Sequence, residues 1–541
     1  MQPVLNVDDV RDVEQQLSEA GVSLSELMHR AGAAAAQEVM NLGDVESVVV
    51  LAGFGNNGGD GWVAAEVLRG NDVSVTVVTP IEPQDIKSDL ARTVATSARR
   101  AGVPVVVSPP RDDLEKLIAG ADVVLDAMLG TGFRGEPRAP FDIWIDCLNA
   151  SGVRVVAADV PSGLSAQTGL AAGACVIADV TVTMLSLKPG LLADEGRDAC
   201  GSIVVAPLAE QTEGIVLQEE PVAWRAETSD YLDVMLPSSS QVDKYTRGSV
   251  LVVGGSVRYP GAAIMAARSA ARAGAGYVTL AVPEPLVPIV QPQLIEIPVV
   301  GLPANPETGT FAPDARDAIV ELANKNTAVV AGPGMTVSAS TVAVVTGLLQ
   351  CSRPLVLDAD AINCISRLTE GRLDSFPELF RRDAPLVLTP HRRELGRLVG
   401  MAENPPASLV DAMDAARRVV WADGGSELCV VAKGNATACV GVEMSLLPKP
   451  GPAALATAGS GDVLSGIVGA NLARVAGQLD NESLPLLCAY ACEIHAYAGS
   501  IAADRYGSRG VMATDIIDAV GLATDALEER AAYPDGAPDK Q

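Results

Sequence analysis

A dense glycine-rich segment near the N-terminus has the composition of a ligand-binding loop. It reads Gly53-Phe54-Gly55-Asn56-Asn57-Gly58-Gly59-Asp60-Gly61, with a β-branched run at 48–51 before it and an apolar helical pattern at 62–68 after it. This order predicts a strand, a loop and a helix. Glycines let the backbone turn tightly and approach a ligand closely, and the free N–H groups at the start of the helix suit a phosphate.

The polar residues of this segment argue against a purely structural turn. Asn56, Asn57 and Asp60 add side-chain oxygens, which suit a ribose hydroxyl or a hard cation. A turn alone would need one or two glycines and none of these oxygens. The segment therefore predicts a nucleotide-type site.

Two further loops carry polar residues directly after apolar runs. Asp126 and the segment 130–136 follow one run, and Asp159 and Ser162 follow the next, while Lys188 follows a third. An aspartate in such a place can simply close a turn. However, the carboxyl ends of parallel strands meet at one edge of the sheet, so we expect these residues to share a site with the glycine-rich loop.

The second half of the chain carries a different set of residues. Gly459-Ser460-Gly461-Asp462 opens an apolar helix, whose N–H groups can hold a phosphate in transfer while Asp462 accepts a proton. We expect the helix N-terminus to keep Asp462 ionised at neutral pH. Lys433, in a further loop, can meet nucleotide phosphates, and His391 follows a proline. The alternatives are a plain helix cap and a structural, hydrogen-bonded histidine.

Short apolar runs alternate with helical patterns through both halves and must position these residues. Runs lie at 48–52, 73–78, 103–107, 123–127 and 153–158, and again at 249–253, 328–331, 355–357, 386–388 and 428–432. This alternation predicts an α/β protein with two doubly wound domains. An acidic stretch at 207–230 places the boundary near residue 225. We expect an N-terminal domain at 1–220, a C-terminal domain at 226–530 and a disordered tail at 531–541.

Composition excludes several classes of function. The chain has 541 residues, 3% of them aromatic, and a formal charge of −28, so it offers no basic surplus for nucleic acid. Its nine cysteines contain no C-x-x-C pair, and its three histidines do not favour a multi-histidine zinc site. We expect a cytoplasmic protein that binds neither nucleic acid nor membrane, and a homo-oligomer of unspecified size.

These motifs resemble a known pair of enzyme families. G-F-G-N-N-G-G-D-G and D-V-P-S-G are similar to NAD(P)HX epimerases, and T-P-H-R-R-E-L and G-S-G-D-V-L-S-G are similar to ADP/ATP-dependent NAD(P)HX dehydratases. The resemblance covers roughly residues 1–215 and 226–527. It implies a Rossmann-like three-layer sandwich followed by a ribokinase-like domain. NAD(P)HX is NAD(P)H hydrated at C6 of the nicotinamide ring. The epimerases interconvert its R and S forms, and the dehydratases phosphorylate and then eliminate the hydroxyl of the S form.

The resemblance also implies roles for particular residues. On the epimerase side, substrate would contact Asn56, Asn57, Gly58, Gly59, Asp60, Gly130, Thr131, Gly132, Phe133, Arg134, Gly135, Glu136 and Asp159, and potassium would bind Asn57, Asp126 and Ser162. On the dehydratase side, substrate would contact Ala262, Gly334, His391 and Asp462, and the nucleotide would contact Lys433, Gly434, Asn435, Ala436, Thr437 and Gly461. Asp159 and Asp462 are the expected catalytic residues.

A bifunctional repair enzyme is therefore the favoured function, with NADHX, NADPHX and ADP as substrates and potassium and magnesium ions as cofactors. Magnesium would arrive with ADP, which the resemblance favours over ATP. Two alternatives stay open at this point. One is a small-molecule kinase with an N-terminal regulatory domain, and the other is a non-catalytic nucleotide-binding protein.

Overall fold

The computed structural model describes residues 1–235, 247–376, 378–422, 427–475 and 483–532. The chain divides into two units, Pro3–Val222 and Ala223–Gln541, the latter together with Met1–Gln2. The expected disordered tail was placed two residues too early, because a helix runs to Ala532. The rest of that tail, 533–541, lies outside the described residues.

The first unit is built on a fully parallel sheet. Its elements follow β1, which spans Gln2–Val4. The strands are β2 Ser47–Ala52, β3 Ser74–Thr79, β4 Val105–Val107, β5 Val123–Ala127, β6 Arg154–Ala158, β7 Val180–Met184 and β8 Ser202–Ala206. The helices are α1 Val7–Glu19, α2 Leu24–Asn41, α3 Asn56–Gly70, α4 Asp89–Arg100, α5 Arg111–Ala119, α6 Phe141–Ser151, α7 Pro189–Leu192, α8 Gly196–Ala199 and α9 Thr212–Val216. Ser23 caps α2 by accepting a hydrogen bond from the Glu26 N–H.

The strand order is β4-β3-β2-β5-β6-β7-β8. Strand order reverses between β2 and β5, which is where doubly wound sheets bind ligands. Strand β2 shows why the runs are apolar throughout. Val48 and Val50 pack into one core cluster and Val49 and Leu51 into another, because helices cover both faces of a parallel sheet.

The second unit contains a larger, mixed sheet. Its strands are β9 Ala223–Arg225, β10 Ser249–Val253, β11 Tyr277–Pro283, β12 Val299–Leu302, β13 Ala328–Ala331, β14 Leu355–Leu357, β15 Leu386–Leu388, β16 Leu428–Ala432, β17 Ala438–Val440 and β18 Ser445–Leu447. Its helices are α10 Pro260–Arg272, α11 Val287–Val290, α12 Ala315–Asn324, α13 Ala339–Leu349, α14 Asp360–Thr369, α15 Arg392–Leu398, α16 Leu409–Trp421, α17 Ser460–Arg474, α18 Ser483–Tyr506 and α19 Ala513–Ala532.

Within this unit the strands run β9-β18-β17-β16-β15-β14-β13-β10-β11-β12. The predicted doubly wound α/β class is confirmed. The sequence interpretation missed the antiparallel pairs that β17 makes with β16 and β18, and it read no strand where β9 lies. Helix α18 is long and apolar enough to cross a membrane by composition. Most of its residues are buried in the core of this unit, which accounts for its apolar character.

Candidate functional sites

The glycine-rich loop and the two later loops of the first unit meet in one cavity of about 890 Å³. The structure places there every predicted epimerase-side substrate residue except Gly58 and Gly59. Those two glycines are buried within α3. A Cβ on Gly58 would lie 2.0 Å from the Gly53 carbonyl oxygen, and one on Gly59 would lie 2.6 Å from Met28. They therefore serve the close packing of the loop.

Asp159 is the best-defined acid in this cavity. Its Oδ1 accepts a 2.8 Å hydrogen bond from Lys188 Nζ, and its Oδ2 accepts one from the Thr131 N–H. Burial opposes ionisation, but the charge and hydrogen bonds of Lys188 outweigh it and lower the pKa of Asp159 below its ordinary value. The residue also sits at φ 66°, a conformation that is uncommon outside glycine and often found at functional sites.

Lys188 is buried completely and is held from three sides. Besides Asp159, its ammonium donates to Thr183 Oγ1 at 2.7 Å and to the Met184 carbonyl at 2.9 Å. From its place after the third apolar run, this lysine was expected at the same sheet edge as Asp159. The structure places it four residues after the end of β7, with its ammonium on Asp159.

Three other acidic residues, Glu14, Asp60 and Glu136, line the cavity with Asp159. The pKa of Asp60 is raised well above its ordinary value by burial, by Asp159 and by Glu14. The pKa of Glu14, on α1, is raised by desolvation at the cavity wall and by Asp159. Sequence reasoning missed Glu14, because a single acid in an amphipathic helix carries no signal of its own. The cavity thus combines one acid whose pKa is lowered with two whose pKa is raised.

The three residues predicted to hold potassium lie in and around the same loops. Asp126 is fully buried and is the last residue but one of β5, so it lies within the strand and not after it. Ser162 donates two hydrogen bonds to the Asp126 carboxylate, one from Oγ (2.6 Å) and one from its N–H (2.8 Å). Burial raises the pKa of Asp126 to about 6. The buried amide of Asn57 has no hydrogen-bond partner among the described residues, and it lies against Gly130.

In the second unit a partly buried lysine marks the site. Lys433 follows β16 and its Nζ lies 2.8 Å from Asp358 Oδ1, with side-chain exposures of 19% and 2%. Asp358 also accepts a hydrogen bond from Thr389 Oγ1 at 2.7 Å. Burial opposes the charge on Lys433, but Asp358 and Glu394 raise its pKa. A Cβ on Gly461 would lie 3.2 Å from Nζ, which brings the lysine to the N-terminus of α17.

Asp462, in the first turn of α17, does not behave as the sequence predicted. Burial, and next the charge of Asp358, raise the pKa of Asp462 to about 7, despite the opposing charge of Lys433. The expectation that the helix N-terminus keeps it ionised at neutral pH was therefore wrong. Lys433 is already paired with Asp358, so it offsets the neighbouring acids only in part.

His391 combines the two roles that the sequence left open. Its Nδ1 accepts hydrogen bonds from the N–H groups of Arg393 and Glu394, which caps α15. Its side chain remains 49% exposed, and its backbone pairs with Lys433. The ring is therefore both a helix cap and a group at the edge of the site. Partial burial and Lys433 lower the pKa of His391, so it is neutral at pH 7.

Of the other predicted dehydratase residues, Ala262 lies in the first turn of α10 and Gly461 in the first turn of α17. Gly334, at φ 68°, packs so closely that a Cβ would lie 3.2 Å from the Ala262 Cβ. Gly434, Asn435, Ala436 and Thr437 form the turn between β16 and β17. His495, which the sequence did not single out, contacts Ser460 Oγ at 3.1 Å. It is buried and neutral, since burial lowers its pKa to about 4.

Comparison with known proteins identifies the family. Residues 24–190 match the family described as YjeF-related protein N-terminus, and residues 250–521 match the family described as NAD(P)H-hydrate dehydratase. A bifunctional NAD(P)H-hydrate repair enzyme of Salinibacter ruber is 34% identical over 96% of this chain and 95% of that protein. The chain belongs to the bifunctional NAD(P)H-hydrate repair enzyme family.

Other family members show similar agreement. The repair enzyme of Escherichia coli is 32% identical over 94% of this chain and 91% of its own length. Among solved structures, an ADP/ATP-dependent NAD(P)H-hydrate dehydratase from Bacillus subtilis, co-crystallised with ATP and Mg²⁺, is 23% identical with a TM-score of 0.46. The match spans 56% of this chain and 99% of the Bacillus subtilis chain.

Proposed function

We propose that this chain repairs hydrated nicotinamide cofactors at two separate sites. The first unit interconverts R- and S-NAD(P)HX. The second dehydrates S-NAD(P)HX to NAD(P)H with ADP as phosphoryl donor, giving AMP and phosphate. The single observation that carries the proposal is that each unit places one acid near a lysine at the carboxyl edge of its sheet: Asp159 with the buried Lys188, and Asp462 near the partly buried Lys433.

Epimerisation at C6 requires a bond at that carbon to break and form again, with a proton moved each way. Asp159 is ionised and lies in the cavity wall, so it can accept that proton and return it. Lys188 holds Asp159 in place through Oδ1 and leaves Oδ2 facing Thr131. The cavity volume of about 890 Å³ is large enough for the nicotinamide nucleotide half of NAD(P)HX, which would enter with its nicotinamide ring first.

Dehydration begins with phosphorylation, because a ring hydroxyl is a poor leaving group. Asp462 takes the proton of the C6 hydroxyl while the hydroxyl oxygen attacks the β-phosphorus of ADP. AMP leaves with the electrons of the broken P–O bond. The C6–O bond of the phosphorylated intermediate then breaks with help from the ring nitrogen, phosphate leaves, and loss of the C5 proton restores the double bond. Lys433 and the N–H groups of α17 face the phosphoryl oxygens.

The residues around Asp126 fit a monovalent cation. A buried carboxylate, a serine hydroxyl and an amide without a partner supply oxygen ligands and a negative charge. Asn57, Asp126 and Ser162 would hold potassium there, which would supply positive charge next to the substrate loops. Binding such an ion would also satisfy the Asn57 amide oxygen.

Magnesium fits the second site only as a companion of the nucleotide. The described residues contain no ready-made group of three His, Cys, Asp or Glu ligands, and Mg²⁺ commonly binds through one or two carboxylates together with phosphates. Asp358 is already engaged, since it forms an ion pair with Lys433. The carboxylates of Asp360 and Glu394 would therefore hold the magnesium ion. The ion would neutralise phosphate charge in the transfer.

One assay tests both activities. Purified S-NADHX with ADP should regain absorbance at the reduced-nicotinamide wavelength, and R-NADHX should do so only through the first unit. ATP in place of ADP tests the donor. A protein that phosphorylates other small alcohols but never regenerates NADH would instead be a kinase.

We place the protein in the cytoplasm, a location supported by its nine free cysteines.

A further inference from the structure

A shallow cavity of about 600 Å³ lies between α14 and α15, outside the residues so far given a role. Its walls include Asn363, Arg367 and Glu370 from the α14 side and Arg397 from α15. The cavity is open to solvent, so a ligand can reach it. We define these residues as the α14–α15 pocket.

The α14–α15 pocket is locally positive on a strongly acidic chain. Arg367 is exposed and has no hydrogen-bond or ion-pair partner among the described residues. The one acid in the wall, Glu370, is offset by Arg372 at 2.6 Å. The whole chain carries −28, so a wall with two arginines and one paired acid is a local exception to its net charge. Guanidinium groups match the geometry of phosphate oxygens.

The second arginine is held firmly in place. Arg397 donates to Asn363 Oδ1 through both Nε (3.1 Å) and Nη2 (2.8 Å). This fork fixes the guanidinium plane and leaves its remaining N–H groups for a ligand. The pocket thus offers one preorganised arginine and one free arginine.

A chain of hydrogen bonds joins the pocket to the dehydratase site. Asn363 Nδ2 donates to Asp360 Oδ1 at 3.4 Å, and the Thr336 N–H donates to Asp360 Oδ2 at 2.8 Å. Asp360 begins α14 two residues after Asp358, the partner of Lys433. Arg367 lies seven residues further along α14, roughly 10 Å away along the helix axis. Asn363 is therefore the wall residue that is hydrogen-bonded to the start of α14, and Arg367 lies further along the helix, away from the reacting groups.

We propose that the α14–α15 pocket binds the 2′-phosphate of NADPHX, with Arg367 and Arg397 as its ligands. This inference rests on the proposed dehydratase function and specifies its substrate preference. NADPHX and NADHX differ only in that phosphate, which lies at the end of the substrate remote from C6. Arginines beyond the reacting centre are therefore placed to distinguish the two.

Steady-state dehydration of the two S-hydrates tests the proposal in the full-length protein. Arg367→Gln should raise the KM for NADPHX about fivefold to tenfold, the effect of losing one charge-assisted hydrogen bond at an exposed site. The KM for NADHX and both kcat values should not change. Glu370→Gln should lower the KM for NADPHX. The matched control is Arg381→Gln, which removes an equally exposed arginine paired with Glu378 outside the pocket.

Two results would overturn the inference. An equal rise in KM for both substrates would show that the pocket holds the shared pyrophosphate, and no rise for either would show that it holds no part of the substrate. Fluorescence titration with NADPH and NADH gives a second readout that needs no turnover. If the wild-type protein dehydrates neither hydrate, the proposed function fails. Even then, an unchanged NADPH-over-NADH preference in Arg367→Gln would separately refute the pocket.

Discussion

The two sites of this chain place an acid near a lysine in different ways. In the first unit Lys188 bonds directly to the proposed catalytic acid, Asp159, and lowers its pKa. In the second unit Lys433 bonds to another carboxylate, Asp358, and the pKa of the proposed catalytic acid rises to about 7. Burial is the largest influence on the pKa of both acids, and the partner of the lysine decides whether that influence is overcome.

This difference suits the two reactions. In epimerisation a single group acts first as base and then as acid, because it must return the proton that it takes. A carboxylate held tightly by a lysine keeps its geometry through both steps. A general base for phosphorylation is most effective when its pKa lies near the working pH. Asp462 meets that condition because it is buried and its lysine is engaged elsewhere.

The largest expected effect comes from removing the base of the second site. Asp462→Asn should slow dehydration of S-NADHX by roughly 10²–10⁴-fold, the usual contribution of general-base catalysis. Folding should be unaffected, since the variant removes a poorly compensated buried charge. Epimerisation, followed by the exchange of R- and S-NADHX on a chromatographic column, is the internal control. A variant that dehydrates at near the wild-type rate would refute the role of Asp462.

Asp159→Asn should abolish epimerisation and also reduce stability. Lys188 is 1% exposed, and leaving a buried charge without its partner costs about 3–5 kcal/mol. Chemical denaturation measures that loss. Dehydration of pure S-NADHX tests whether the second unit remains active.

A double variant separates the two effects. Asp159→Asn with Lys188→Met removes both charges and should recover most of the stability but none of the epimerisation. If activity returned with stability, Asp159 would have only a structural role.

The sequence predicted the strand-end loops well but not the charge states within them. Apolar runs buried on both faces identify parallel strands, and the topology of such sheets then brings Asp126, Asp159 and Lys188 to one edge. The strands β9, β17 and β18 were missed because their sequences, AWR, ACV and SLL, lack the Leu-Val-Leu run that marks the equally short β14 and β15. The pKa of Asp462 depends on whether Lys433 bonds to it or to Asp358, and only the folded arrangement decides that.

Changing the partner of Lys433 should alter the pH dependence of dehydration. Asp462 acts as a base only when ionised, so the wild-type rate should fall as the pH drops below about 7. Asp358→Asn removes a negative neighbour and frees Lys433, which lowers the pKa of Asp462. We expect the acid limb of the kcat profile to move down by roughly one pH unit, whatever the height of the plateau. Thr389→Val, which removes only a hydrogen bond to Asp358, is the control for a structural disturbance. An acid limb that stays in place would show that Asp358 does not influence Asp462.

The smallest expected effect concerns the proposed potassium site, and it sharpens the comparison because Asp126 is a buried acid with no lysine beside it. Burial raises its pKa to about 6. A raised pKa means that ionised Asp126 destabilises the fold above that pH, and a bound cation should offset this cost. Potassium should therefore raise the melting temperature more at pH 7.5 than at pH 5. Each ~1 kcal/mol that potassium binding adds to the free energy of unfolding should raise the melting temperature by roughly 2–4 °C. Asp126→Asn keeps the shape and removes the charge, so its melting temperature should respond equally to potassium at both pH values. Sodium at the same ionic strength is the control for general salt effects. A potassium response that persists unchanged in Asp126→Asn would move the ion away from this carboxylate.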